Sequence, residues 1–455
     1  MIKTVDPIGA GALTDNLIRK YEEQFRANPL NRVALNAVSR TAISEVAMNR
    51  QVLAGTDFTF SNLVKTGEAT NQMSSGRCWL FAGLNTMRLR AMKKMNLANF
   101  ELSQNYAFFW DKLEKANYFL ENIIETRDES IQSRLTMWLL SGPLNDGGQW
   151  DMFANLISRY GVVPKSAMPE TLNSSNSGHV NYLVTLKLRE NAMILREMHQ
   201  KGARLSQLRT RKEEMMAEIY KLLVIYFGEP PAGFNWQYRD KKNKFHREPK
   251  PMTPQAFYKK YVNLNLDEMV SLINCPTKDK SYNKMYTVQY LGNVMGGQIV
   301  RYLNVDIDIL KTITARVIRK GEPVWFGCDV GKMLYRDGGI MDTRMFEYDK
   351  LLGTGFGMNK AQRVDYGDSL MTHAMVFTGV NLVKNQPTKW KVENSWSDKV
   401  GEKGFFVMSD RWFDEYLYQV VVPKKYLPAK QLKILKEKPV VLKPWDPMGS
   451  LALMH

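Results

Sequence analysis

Apolar positions recur at helical spacing between Asp15 and Ala54, where Leu17, Tyr21, Phe25, Leu30, Val33, Val38 and Val46 stand mostly three to five residues apart. That spacing predicts a helical arm or cap. The same pattern returns after Ser103 with Tyr106, Phe109, Trp110, Leu113 and Leu120, and the serine hydroxyl is placed to cap the first turn of a long amphipathic helix. Between roughly His179 and Val288 the chain is charged, Met-rich and Arg-rich at helical spacing. It also holds a basic run, Arg239 to Arg247, between two proline-bearing turns, and reads as an inserted module. From Glu322 onward short strand-like runs dominate: Val324-Trp325-Phe326, Ala374 to Phe377, Trp390 to Glu393, Gly404 to Val407 and Gln419 to Val422. Helices first and sheet last predict an α+β molecule of two lobes. No internal repeat is visible at any period.

Composition narrows the class. A chain of 455 residues allows about three domains of roughly 150 residues each, or one large core with insertions. With 44% hydrophobic and 24% charged residues and only 30 Gly and 18 Pro, it is a folded globular protein and not a low-complexity one. The formal charge of +17 creates a positive potential that attracts anions over a Debye length. On its own this does not choose between nucleic acid, anionic lipid, acidic substrates and plain solubility. The cysteines Cys78, Cys275 and Cys328 are odd in number and irregular in spacing. That argues against a disulfide scaffold and for a reducing compartment, so a cytoplasmic protein is expected. The residues after Met1 lack the apolar stretch of a signal peptide, and no run approaches the length of a membrane span, so no membrane partner is expected.

Candidate chemistry centres on Asn71 to Asn85. A glycine-bearing turn at Gly76 delivers Cys78 to the start of a helix-competent apolar run, where unpaired N–H groups and the positive dipole end favour a thiolate. A cysteine followed by Trp, Leu and Phe is otherwise core material, so the partners decide. A thiol nucleophile needs a base, and of five histidines His373 heads a strand pattern. The imidazole needs an orienting group, and Asn394 follows the next strand. The oxyanion of acyl transfer needs donors, which the amide of Gln72 and the Cys78 N–H are placed to supply.

These segments resemble the papain-like cysteine peptidases, and over nearly the whole chain the bleomycin hydrolase and aminopeptidase C family. Asn145-Asp146-Gly147-Gly148-Gln149-Trp150, Tyr160 to Pro164 and Trp445 to Gly449 add to the resemblance. It implies a papain-like two-lobed α+β fold with helical and hook-like insertions, and a cysteine aminopeptidase that also hydrolyses bleomycin-like amides. The implied organisation is an N-terminal helical arm at 1–63, a helical lobe with the nucleophile at 64–178 and a helical and hook-like insertion at 179–288. A β-rich lobe with the His and Asn follows at 289–440, and a C-terminal arm in the cleft at 441–455. Cys78, His373, Asn394 and Gln72 keep the roles just given. Gly147 and Gly148 would let a substrate backbone lie flat, Trp396 would shield the histidine–asparagine bond, and the terminal carboxylate of His455 would meet the free amine of a peptide substrate. A homohexameric ring with a basic channel is implied, and no cofactor. Two features depart from the family pattern. Ser397 stands where the family carries glycine after Asn-Ser-Trp, in a turn that prefers positive φ. The tail Ser450 to His455 extends slightly past the family's usual end, which leads us to expect self-trimming of its last residues.

Rival signals are weaker. Gly327 and Gly331 have the wrong spacing for a phosphate loop, and Met333 replaces the Ser or Thr that would hold Mg²⁺. Gly353 to Gly357 lacks the strand and helix of a dinucleotide site. His179, His199, His246 and His373 are scattered, so no metal site is expected, and Cys275 and Cys328 read as structural thiols. The basic run with Trp236, Tyr238 and Phe245 reads as a solvated hairpin face, with weak, salt-sensitive nucleic-acid binding as a secondary expectation. The competing functions are a papain-like endopeptidase, if the tail leaves the cleft open, and a nucleic-acid-binding ring.

Overall fold

The structure, a computed structural model, describes residues 11–453. The chain divides into two compact units, one running to Thr56 and including Thr343–Met358, the other made of Asp57–Asp342 and the chain from Asn359 onward. The first unit is helical, with helices Asp15–Ala27, Pro29–Val38, Ile43–Val46 and Arg50–Gly55. Its first two helices break at Asn28, whose side chain accepts the Leu30 N–H, and Pro29 opens the second helix where no N–H is needed. Tyr21, Phe25, Leu30 and Val33, which carried the sequence pattern, are exposed.

The second unit is organised about a sheet that has twelve strands among the described residues. Its central run is Met269–Ile273, Leu417–Pro423, Val324–Cys328, His373–Val383 and Gln386–Glu393, each antiparallel to the next. The runs expected after Glu322 are all strands. The sheet also draws on Met269–Ile273, Lys284–Val288 and Tyr302–Asn304, ahead of that point. These strands are covered on both faces, so Val270, Leu272 and Ile273 are all buried and the alternation that marks a half-exposed strand is absent.

Helix Cys78–Met95 is buried along nearly its whole length and ends at Asn96 in the left-handed region, φ +52°. Gly83 is required within it, because a Cβ there would stand 2.6 Å from the Phe153 ring of helix Trp150–Tyr160. Helix Gln104–Glu125 starts at Ser103, whose hydroxyl accepts the Tyr106 N–H at 3.0 Å. Helices Gly178–Gln200 and Leu205–Phe227 pack on it. Hairpin Gln237–Arg239 and Phe245–Arg247 follows, with the Tyr238 and His246 rings stacked at 4.8 Å. Two apolar clusters fill the unit. One surrounds the Cys78 helix, and the other lies between helix Ile307–Arg319 and the strands bearing Phe326, Phe377 and Trp390. Among the described residues no helix is long and apolar enough to cross a membrane.

Candidate active site

Cys78 is the first residue of its helix and is fully buried. Burial pushes its thiol up to about 11, against the backbone N–H groups of Ala374, Trp79 and Cys78, which favour the thiolate. Desolvation opposes the thiolate, so ionisation of this sulfur calls for a base to take its proton. Helix Cys78–Met95 packs on strand His373–Val383, which brings the start of the helix beside the histidine that opens the strand.

His373 is buried and lies opposite Cys328 on the neighbouring strand. Its Nε2 donates to Asn394 Oδ1 at 2.9 Å, which makes Nδ1 the basic nitrogen of the ring. Asn394 directly follows strand Gln386–Glu393, and its Oδ1 also accepts the Ser395 N–H at 2.7 Å. Trp396 lies half-buried beside them, its ring 4.9 Å from the imidazole. The loop is tied to the segment before Cys78 through Gln72 N–H to Ser395 O at 2.9 Å and Ser397 N–H to Thr70 O at 3.1 Å. Ser397 adopts φ +70°, and its hydroxyl accepts the Lys399 N–H at 3.2 Å, so a serine occupies the left-handed turn with a local hydrogen bond in support.

Gln72 is buried, and its Nε2 donates to Ser75 O at 2.7 Å, anchoring the amide against the turn that leads to Cys78. Gly148 has its own steric reason, for a Cβ there would lie 2.5 Å from the Trp79 indole. The Gly147 carbonyl accepts Lys115 Nζ at 2.6 Å. The structure thus brings Gln72, Cys78, His373, Asn394 and Trp396 to one locus. His455 lies outside the described residues. Upstream of it the tail is pinned: the Arg134 guanidinium lies 3.8 Å over the Trp445 ring, and Lys280 pairs with Asp446 at 3.2 Å. The Ser450 hydroxyl donates to Met371 O at 3.0 Å, two residues before His373, and Leu451 is fully buried beside Gly327. A cavity of about 170 Å³, lined in part by Tyr118, Trp138, Asn145, Tyr290 and Leu453, adjoins the tail.

Three buried ionic groups around the site escaped the sequence reading. Arg88 on the Cys78 helix meets Glu393, the residue before Asn394, at 2.6 Å, with both side chains about 1% exposed. Arg77 pairs with Glu170 at 2.8 Å. Asp111, Lys112, Lys115 and Asp146 form a buried cluster. For the last of these, the structure buries helix Gln104–Glu125 along most of its length, so Asp111, Lys112 and Lys115 find partners inside the fold instead of solvent.

Comparison with known proteins gives a consistent result. Residues 12–449 match the model of the peptidase C1-like family. Aminopeptidase C of Listeria innocua serovar 6a is 49% identical over 97% of this chain and 99% of its own length. Bleomycin hydrolase of Gallus gallus is 42% identical over 98% of this chain and 100% of its own. The crystal structure of PepW from Lactobacillus rhamnosis HN001 superposes with a TM-score of 0.95 at 49% identity, covering 97% of this chain and 99% of that one.

Proposed function

The chain belongs to the peptidase C1-like family, and from that premise we propose that it is a cysteine aminopeptidase, releasing amino-terminal residues from peptides and hydrolysing related amides through an acyl-enzyme thioester. Cys78 is the nucleophile. His373 takes its proton on Nδ1 and returns it to the leaving amine, Asn394 orients the ring, and Gln72 with the Cys78 N–H holds the oxyanion. Gly147 and Gly148 carry the substrate backbone, and Trp396 keeps water from the His373–Asn394 bond. One observation carries the reading: the helix that opens at Cys78 packs on strand His373–Val383, whose first residue is fixed to Asn394 at 2.9 Å. A thiol held near 11 by burial does not ionise alone at neutral pH, so the reaction needs the imidazole beside it.

The anchored tail supports cleavage at chain ends over internal cleavage, because Ser450 and Leu451 occupy the His373 side of the site. We extend the reading to the carboxylate of His455 as the partner of the substrate's free amine. The test is a peptide with a free amine set against its acetylated twin, with wild type and Cys78→Ala. Wild type should cleave the first and leave the second, and Cys78→Ala should cleave neither. Equal cleavage of both peptides would mark an endopeptidase instead. We also propose a cytoplasmic homohexamer, supported by the exposed apolar Tyr21, Phe25, Leu30 and Val33 and checked by light scattering. Weak nucleic-acid binding is supported by the exposed Arg239, Lys241, Lys242, Lys244 and Arg247; lack of retention on single-stranded DNA at low salt would dismiss it.

A further inference from the structure

The buried cluster beside the site spends much of its hydrogen bonding on the site's own backbone. Asp146 accepts four donors. On Oδ1 these are Lys112 Nζ at 2.6 Å and Asn181 Nδ2 at 2.7 Å, and on Oδ2 the Gly76 N–H at 2.8 Å and the Ser177 hydroxyl. Its backbone carbonyl accepts the Trp79 indole N–H at 2.7 Å. One residue therefore grips the chain two positions before Cys78 and one position after it.

The turn it grips sets both oxyanion donors. The Ser75 carbonyl fixes the Gln72 amide at 2.7 Å, and the helix opening at Cys78 fixes the direction of that residue's N–H. Building on the catalytic roles proposed above, we infer that Asp146 is a positioning residue for acyl transfer, holding the Ser75–Arg77 turn so that the Gln72 amide and the Cys78 N–H converge on one oxygen.

The sign of its charge separates this role from activation of the thiol. A carboxylate near Cys78 raises the pKa of the sulfur, so Asp146 opposes the thiolate and its value to the site is geometric. It stays ionised: burial raises its pKa, but the charge and hydrogen bond of Lys112, the Ser177 hydroxyl and the Gly76 N–H overcome that and hold it well below the usual carboxylate range. Since all four partners donate, asparagine at this position would turn its NH₂ against two of them.

The test is Asp146→Asn in the full chain, beside wild type and Cys78→Ala, read through two reactions of the same sulfur. Turnover of an aminoacyl amide needs the oxyanion held, whereas alkylation by iodoacetamide is a direct displacement at carbon and does not. We expect kcat to fall by about tenfold or more, given that loss of one oxyanion donor costs roughly 10²–10³. KM should move by less than about threefold, and alkylation at neutral pH should be as fast as in wild type or faster. Ser177→Ala, which removes one donor to Oδ2 and no charge, should show the same pattern at roughly two- to fivefold amplitude, and it answers the question if Asp146→Asn does not fold. Unchanged kcat in the variant that folds, or parallel losses of kcat and alkylation, overturns the inference. Hydrolysis that survives in Cys78→Ala overturns instead the reading of the reaction on which the inference rests.

Discussion

Ser397 shows how a single side chain meets a backbone demand. At φ +70° an L-residue carries a penalty of about 1 kcal/mol relative to glycine. Its exposed hydrogen bond from Lys399 recovers only part of that, since water would serve the same N–H. Ser397→Gly should therefore raise stability by up to about 1 kcal/mol in a denaturant titration and leave turnover unchanged. At Cys78 the relevant quantity is a proton. With the thiol near 11, the thiolate alone makes up about one part in ten thousand at pH 7. In His373→Ala, alkylation of Cys78 by iodoacetamide should thus be slow at pH 7 and climb about tenfold per pH unit toward 11, while wild type reacts at neutral pH. A variant that alkylates as fast as wild type at pH 7 would remove the need for the imidazole. These residues were legible in the sequence because each stands at a recognisable junction: Cys78 at a turn-to-helix boundary, His373 at the head of a strand and Asn394 just after one. The full burial of the sulfur was not legible, since burial is a property of the packed molecule.

Among elements, the decisive contact is the buried pair Arg88–Glu393, which ties helix Cys78–Met95 to strand Gln386–Glu393 and so to Asn394. Arg88 also donates to the Glu68 carbonyl at 2.6 Å. Removing one member of such a pair leaves the other charge uncompensated, and Arg88→Met should cost about 3 to 5 kcal/mol. The double variant Arg88→Met with Glu393→Gln should recover most of it, as a thermodynamic cycle by urea unfolding would measure. Burial already raises the Glu393 carboxyl, against the lowering effect of Arg88. Without the arginine the folded state would bind a proton that the unfolded state releases, so the deficit of Arg88→Met should grow as pH rises from 5 to 8. The helices and the later strands were readable from periodicity and caps. Met269–Ile273 and its neighbours were missed because strands covered on both faces lose the period of two, and the ionic groups were missed because a charged residue in a helical pattern is ordinarily given to solvent.

For the molecule as a whole, pH dependence should carry the mark of Lys360. Its ammonium is buried, donating to Asn274 Oδ1 at 2.7 Å and Leu417 O at 2.6 Å, and lies 5.0 Å from the Tyr418 ring. Burial lowers it to about 7, against the opposing charges of Glu415 and Asp414. Between pH 7 and the ordinary lysine value the unfolded chain holds a proton that the folded one has given up, so stability rises with pH in that window and levels off below it. Relative to Lys360→Met, wild type should gain about 1.4 kcal/mol per pH unit from 7.5 to 10, measured by denaturation at each pH. The Cys78 helix has one more consequence at this scale. Its Trp79 carbonyl accepts the Trp325 indole N–H at 3.2 Å, its Arg88 reaches Glu393, and the helix packs on strand His373–Val383, all partners beyond the exposed turn Lys241–Lys244. A single nick in that turn would leave two pieces that hold together as a non-covalent complex, and halves made separately should be silent alone and regain turnover on mixing.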